Sequence, residues 1–339
     1  MPKLLAPSPP ADLGAVVAPT IAVVIAAFEA SDVIGTAIDS VLAQSVRPDE
    51  IIVADDGSTD DLAGALAPYG ASVRLVRIEH GGEARARNAA IAAATAEFVA
   101  VLDADDRFAP GRLASVVRVL TERPDLDLIT TDAVLELDGR IVGTVYHEGH
   151  RFEVGDQRSA ILDRNFVFGQ VVVRRARMLE LGGYDETITH TTDWECWIRL
   201  VLAGGRLGCI DAPLGVYTMR EAAMSASRRR MYEGRVATLS KTLADARLTA
   251  PERARVVARR DEEVRRSARE ALRVALLRED PARRTLAWAV ARDGGQPAPA
   301  RLRSLVAAVA PTVVGRRLRA RARDSWVGVG DRRFPRTNA

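Results

Sequence analysis

Glu97-Phe98-Val99-Ala100-Val101-Leu102-Asp103-Ala104-Asp105-Asp106 is the stretch whose reading decides the fold. Apolar residues run from Phe98 to Leu102 into three carboxylates, with only Ala104 among them. A short continuous apolar run bounded by polar residues fits a parallel strand buried on both faces. Ligands of open α/β sheets sit beyond the carboxyl ends of such strands. Acids clustered there repel one another, and hard cations prefer oxygen ligands. Two readings stand at this point: a metal site, or a turn in which Asp103 caps the next helix.

Upstream of this strand the same alternation repeats. Ile21-Ala22-Val23-Val24-Ile25-Ala26-Ala27 reads as a buried strand, and Ile34, Ile38, Val41 and Leu42 form an apolar face at helical spacing that Ser31 or Asp32 can cap. Glu50-Ile51-Ile52-Val53-Ala54 is a second short strand, ending in Asp55-Asp56-Gly57-Ser58-Thr59-Asp60. A helix, a strand over 73–78, the turn His80-Gly81-Gly82 and an Ala-rich helix over 85–94 follow. Strands alternating with helices predict an α/β fold, a Rossmann-like and mostly parallel sheet flanked by helices. Right-handed crossovers make a doubly wound arrangement the economical topology.

Downstream, Pro110-Gly111 opens a helix to about Glu122, and strands over 126–135 and 141–145 meet at the hairpin turn Asp138-Gly139. A helix over 156–164, a strand over 170–174, a stop at Gly182-Gly183 and a helix capped by Thr191 or Thr192 follow. Strands over 206–210 and 214–219 close the sheet region. From about Ser227 the chain turns to long Arg-rich helical segments, so three parts are expected: a flexible tail over 1–19, an α/β domain over 20–225, and a basic helical C-terminal extension over 226–339.

Composition narrows the class. The chain has 339 residues, 47% hydrophobic and 27% charged, enough for a sizeable core. Cys196 and Cys209 lack any short metal-ligand spacing, so neither a disulfide framework nor a zinc site is expected, and both read as small buried hydrophobes. No sustained apolar run precedes Pro7, so a signal peptide is not expected, and no stretch approaches the roughly 20 apolar residues that span a bilayer. The expected location is cytoplasmic. The net charge of +3 hides an asymmetry: residues 226–339 hold 28 basic and 12 acidic residues, leaving 20 and 33 in the first 225. The basic part could meet an anionic partner.

Parallel strands bring Asp55-Asp56 and Asp103-Ala104-Asp105-Asp106 to one sheet edge. One carboxylate there can accept from a nucleobase N–H, while others hold Mg²⁺ or a similar ion against phosphates. No Gly-x-x-x-x-Gly-Lys or Gly-x-Gly-x-x-Gly follows the first strand, so phosphate is expected to be handled through metal rather than a glycine cradle.

The chain resembles family 2 glycosyltransferases of the GT-A fold. The matching pieces, in order, are Val24-Ile25-Ala26-Ala27-Phe28, Ser40-Val41-Leu42-Ala43-Gln44-Ser45, the strand ending in Asp55-Asp56-Gly57-Ser58-Thr59-Asp60, and Gly81-Gly82 with Ala86-Arg87-Asn88-Ala89. The acidic strand, Val171-Val172-Val173-Arg174-Arg175, Gly182-Gly183-Tyr184-Asp185-Glu186 and Asp193-Trp194-Glu195-Cys196-Trp197 continue the series over roughly 20–225. The resemblance implies a nucleotide-sugar donor, usually a UDP-sugar, and a divalent cation, Mn²⁺ or Mg²⁺. It implies Asp103 and Asp105 as metal ligands, with Ala104 between them in the donor site. Asp56 would face the base, bordered by Ala26, Phe28 and Glu29. Arg87 and Asn88 would lie near the donor, and Asp193 would be the catalytic base of an inverting displacement, kept ionised by the dipole of its helix.

Local alternatives remain open. Asp55 reads better as a turn cap, Trp194 and Trp197 as a buried helix face, His190 as a surface residue, and Asp106 as local structure. The chain also departs from the family pattern. His80 stands where members often have Asn, and Tyr217-Thr218-Met219-Arg220 stands where many carry a His, so Arg220 is expected to pair with diphosphate oxygens instead. The expected activity is sugar transfer to a glycan, glycolipid or other hydroxyl acceptor in polysaccharide or glycolipid assembly. The alternatives are a catalytically silent binding or scaffold protein and a nucleotidyltransferase. In the C-terminal part, Arg228-Arg229-Arg230 and the run over 316–323 are the densest basic patches, with Leu305, Val306, Val309, Val313 and Val314 just before the second. They read as solvated helix faces or as peripheral contacts with anionic membrane. Aromatic interleaving is lacking, so nucleic acid is not expected.

Overall fold

A computed structural model of the chain describes residues 2–8, 18–147, 150–219 and 221–327, with side chains in the last segment from 229 to 320. Arg220 and Arg228, two residues singled out from the sequence, lie outside the described side chains. Contacts divide the chain into two compact units, one of Met1–Arg220 with Asp245–Glu252 and one of Glu221–Ala244 with Arg253–Ala339.

The first unit is built on one sheet. Its strands are β1 (Lys3–Leu5), β2 (Ile21–Ala27), β3 (Glu50–Asp55), β4 (Arg74–Arg77), β5 (Phe98–Asp103), β6 (Arg107–Phe108), β7 (Leu128–Leu137), β8 (Arg140–Thr144), β9 (Val172–Arg174) and β10 (Leu207–Met219). The strand order is β1-β10-β7-β9-β5-β2-β3-β4, with β6 also on β10 and β8 on β7. Helices α1 (Ile34–Leu42), α2 (Leu62–Leu66), α3 (Glu83–Ala93), α4 (Arg112–Glu122), α5 (Gln157–Asp163), α6 (Arg175–Glu180) and α7 (Thr192–Leu202) accompany it.

The apolar stretches become the central strands. Val23 and Ile25 of β2 and Ala100 and Leu102 of β5 share one core with Ile34, Ile38 and Val41 of α1 and Val116 and Leu120 of α4. The opposite face, with Ala22, Val24 and Ile52, is equally buried, and α3 packs on β2 and β3. Burying side chains of this size contributes about 1.5–3 kcal/mol each. Covering both faces requires strands apolar at every position, which is why β2, β3 and β5 read as continuous runs rather than alternations.

The α/β fold with flanking helices is the expected one, and β2, β3, β4 and β5 pair parallel. Beyond β5 the sheet is mixed, because β9 runs antiparallel to both β5 and β7. The turn at Asp138-Gly139 is as expected, with φ of 50° and 76°. The two closing strands are one, β10, with register shifts at Pro213 and Gly215, where proline has no N–H to give the ladder. Residues 3–5, expected within a flexible tail, instead pair antiparallel with β10 at Lys3↔Asp211, Leu4↔Ile210 and Leu5↔Cys209. The open edge of β10 supplies unpaired backbone groups, and Leu4 and Ala6 pack on the core. Residues 9–17 of that segment lie outside the described residues.

The second unit is helical, with α8 (Glu221–Thr242), α9 (Ala250–Leu277), α10 (Arg283–Arg292), α11 (Ala298–Val309) and α12 (Pro311–Val327). Leu272, Leu276, Ala287, Val290, Ala307 and Ala308 form its small core, with Val314 and Leu318 packed against it. Glu263 is fully buried, and Arg259 at 2.5 Å and Arg266 at 3.4 Å meet its charge. No described helix is long and apolar enough to cross a membrane.

Candidate active site

Parallel pairing sets the site. Ala26 lies beside Asp103 and Ala27 beside Asp55, so both acidic strand ends reach one edge of the sheet. Asp55 is buried and caps its own turn, accepting from the Ser58 amide at 2.8 Å. Asp56 is also buried, and its oxygens accept from the amides of Gly81 and Gly82, each at 2.8 Å, with His80 Nδ1 at 3.0 Å. It therefore fixes the turn that opens α3. Phe28 is 48% exposed, and its ring lies 4.4 Å from that of His80. Glu29, at φ 49°, accepts from the amide and hydroxyl of Thr59, each at 2.8 Å.

From α3, Arg87 enters almost buried and donates to Asp103 Oδ1 at 2.6 Å. It also pairs with Glu83 and lies 5.5 Å from the centre of the Tyr184 ring. Burial opposes its charge, but Asp103 and Glu83 outweigh that and hold the guanidinium firmly protonated. Its neighbour Asn88 faces other work: it accepts from the Tyr184 amide and donates to the Tyr184 carbonyl, both at 2.8 Å, and donates to Glu186. Gly183, at φ +73°, leaves the room for this clasp, since a Cβ there would stand 2.3 Å from Asn88 Oδ1.

Asp106, read from the sequence as local structure, is a buried tie. It accepts from the Thr218 amide at 2.8 Å and from Gln170 Nε2 at 3.0 Å, joining the acidic turn to β10. Burial, and then the charge of Asp103, push its carboxyl up to about 8. Asp103 remains about one-third exposed, and Ala104 and Asp105 are half-buried beside it.

Asp193 stands in the first turn of α7, half-buried, where Asn165 Nδ2 donates to its Oδ2 at 2.8 Å. The Val167 amide in turn donates to Asn165 Oδ1 at 3.1 Å, so the amide is oriented from both ends. From its place at a helix terminus Asp193 is expected to be kept ionised. Burial acts against its charge and raises the carboxyl above the usual range, while the Trp194 amide, Arg87 and Asn165 pull the other way.

Arg87, Asp103, Asn165, Gln170, Asp193 and Tyr217 line one cleft of about 480 Å³. Ala26, Phe28, Glu29 and Asp56 lie at the adjoining strand ends, outside its lining, as does Asn88. His190, read as a surface residue, is exposed, with φ 66°, and also lines the cleft. Trp197 is fully buried and Trp194 donates to the Ile161 carbonyl, as a helix core face requires. Sequence reasoning missed Asn165 and Gln170. Asn165 sits in a loop with no motif; a glutamine heading an otherwise apolar strand was the one visible signal for Gln170.

Among the described residues no group of three or more His, Cys, Asp or Glu side chains is arranged to hold a metal ion. The donor set still fits one chemistry. Carboxylate oxygens suit a hard cation, and Mg²⁺-type ions commonly use one or two carboxylates with the ligand's phosphates completing the shell. The partly exposed carboxylates of Asp103 and Asp105 fit a cation held in that way.

Residues 22–175 match the family model described as Glycosyl transferase family 2. The succinoglycan biosynthesis protein ExoU of Rhizobium meliloti (strain 1021) is 33% identical over 247 residues, covering 66% of this chain and 70% of that protein. The S. aureus TarS 1–349 structure in complex with UDP-GlcNAc aligns with TM-score 0.57 at 19% identity, over 86% of this chain and 81% of that one. The mannosyltransferase PcManGT from Pyrobaculum calidifontis, in complex with GDP-Man and Mn²⁺, aligns with TM-score 0.57 at 22% identity, over 88% and 83%. At such identities the two structures speak to the fold alone.

Proposed function

The chain belongs to glycosyl transferase family 2, and on that premise we propose that its cleft moves a sugar from a nucleotide-sugar donor to a hydroxyl of a glycan or glycolipid during polysaccharide assembly. Its class is transferase. Family membership sets aside the nucleotidyltransferase reading. The observation that carries the proposal is that Asp103, Arg87 and Asp193, which arise from β5, α3 and α7, line one cleft.

The residues divide the chemistry between them. Asp103 and Asp105 would hold Mn²⁺ or Mg²⁺, which would supply positive charge against the charge developing on the diphosphate. Arg87 fixes the Asp103 carboxylate through its 2.6 Å bond. Asp193 accepts the acceptor hydroxyl's proton as that oxygen attacks the anomeric carbon. The bond from that carbon to the donor phosphate breaks, its electron pair leaves with the diphosphate, and the centre inverts. Asn165 points the base. Asp56 holds the turn beside the base pocket formed with Ala26, Phe28 and Glu29, where the exposed Phe28 ring offers a stacking face, and Ala104 keeps the acidic turn narrow. Asn88 supports the site through Tyr184, and Arg220 pairs with diphosphate oxygens.

A UDP-sugar is the first donor to test and a GDP-sugar the second, since the two related structures hold one of each kind. We assign transfer to residues 20–225 and a docking role to residues 226–339, with the enzyme cytoplasmic and peripheral at the inner face of the membrane. Sugar transfer across a donor panel with Mn²⁺ tests the reading. Asp193→Asn should cut turnover by about 10²–10⁴-fold with donor KM little changed. Unchanged turnover would remove the base assignment.

A further inference from the structure

Among its described residues, the second unit leaves an apolar stripe exposed. Along α11, Leu302, Leu305, Val306 and Val309 recur at helical spacing and are 64%, 40%, 52% and 68% exposed. Val313 at the start of α12 extends the stripe and is 53% exposed. The opposite side of α11, with Ala307 and Ala308, belongs to the unit's core. These side chains are therefore surplus to folding. Exposing so many large aliphatic groups on one helix marks an interaction surface.

Charge identifies the partner. From Gly294 to Arg323 the sequence carries seven arginines and no Asp, Glu or Lys. Arg301 and Arg303 are exposed at the start of the stripe, and Arg316 and Arg317 are exposed beyond its end. Among the described residues, no carboxylate pairs with Arg303, Arg316 or Arg317. An aliphatic stripe with cations at both ends matches the boundary of an anionic bilayer, where chains take the apolar groups and headgroups the guanidiniums. A second copy of the chain fits less well, because a two-fold contact would set arginine against arginine. Nucleic acid fits less well too, since aliphatic groups give bases nothing to stack on.

We propose that α11 and the first turns of α12 form a docking face for anionic phospholipid, entering the interface through Leu302, Leu305, Val306 and Val309. The proposal rests on the peripheral location proposed above but not on the catalytic roles, so each can fail alone.

Flotation of the full-length chain with phosphatidylcholine vesicles, with and without phosphatidylglycerol, tests it. Binding should require the anionic lipid and weaken with salt. Val306→Asp with Val309→Asp should lower partitioning by about tenfold per valine, and Arg316→Ala with Arg317→Ala by about fivefold per arginine. Melting temperature and donor turnover should stay as in the parent chain. If an aspartate variant melts early, Val309→Ser reads the same loss. Equal partitioning onto neutral vesicles, or anionic binding untouched by the valine variants, would overturn the proposal. So would a dimer in sedimentation that the valine variants dissolve, or duplex DNA bound where anionic vesicles are not.

Discussion

Replacing Asn165 by alanine removes one charge-assisted hydrogen bond from Asp193, the 2.8 Å contact to Oδ2. Such bonds contribute about 1.5–3 kcal/mol, and one pKa unit corresponds to about 1.36 kcal/mol. The carboxyl, already raised by burial, should therefore rise further, by about 1–2 pH units, with the Trp194 amide and Arg87 still favouring its charged form. A general base works ionised, so activity falls as pH drops through its pKa. The acid limb of kcat/KM, which reports the free enzyme, should then move to higher pH by about 1–2 units, and the plateau should drop about tenfold from lost orientation. Asn165→Asp, placing like charge against like, should move the limb at least as far. Steady-state sugar transfer across pH measures both. A purely structural Asn165 would lower the plateau or the melting temperature without moving the limb. An acid limb unmoved in both variants would refute the reasoning.

Three further outcomes follow from the same geometry. Asp193→Asn, besides its loss of turnover, should hold or raise the melting temperature at neutral pH, because a carboxyl whose folded pKa is raised costs the native state stability once pH exceeds its unfolded value; a clear loss of stability would count against this. Gly183→Ala should cost about 2–4 kcal/mol in urea unfolding, from left-handed backbone strain and a broken Asn88 clasp, and unchanged stability would show that Asn88 gives way freely. Arg158 holds Glu252 through bonds of 2.6 and 3.1 Å, drawing its carboxyl down to about 2. That stability is present above the unfolded pKa of 4.5 and is lost as pH falls from there toward 2. Arg158→Ala should lower stability by about 1–2 kcal/mol at neutral pH and flatten the acid slope of wild type, as thermal melts across pH would reveal.

The central strands were legible because burial on both faces demands apolar residues at every position, and Phe98-Val99-Ala100-Val101-Leu102 leaves no polar alternative. The acidic ends of β3 and β5 could be placed at one edge because parallel register follows from the alternation itself. What sequence could not supply was direction and contact. β9 runs antiparallel although its apolar run looks like those of its parallel neighbours, since local pattern carries no information about strand direction. Lys3-Leu4-Leu5 is too short to signal a strand, and its pairing depends on the free edge of β10 some two hundred residues away. Asn165 reaches Asp193 across 28 positions, and Gln170 reaches Asp106 across 64. Single polar side chains in loops become legible only once the chain has folded around them. Helix position is local and readable, whereas the burial that raises the Asp193 carboxyl is set by everything packed above the helix end.

In the proposed mechanism Asp103 and Asp105 would hold a donor diphosphate through a divalent cation. Thermal melting of the full-length chain with a panel of nucleotide-sugars, with Mn²⁺ and with chelator, tests it most directly, since a ligand of the folded state raises its stability. One donor should raise the melting temperature with Mn²⁺, the rise should vanish with chelator, and Asp105→Ala should show none while melting normally by itself. A donor that stabilises Asp105→Ala as well as wild type, or stabilises wild type equally without metal, would contradict the account.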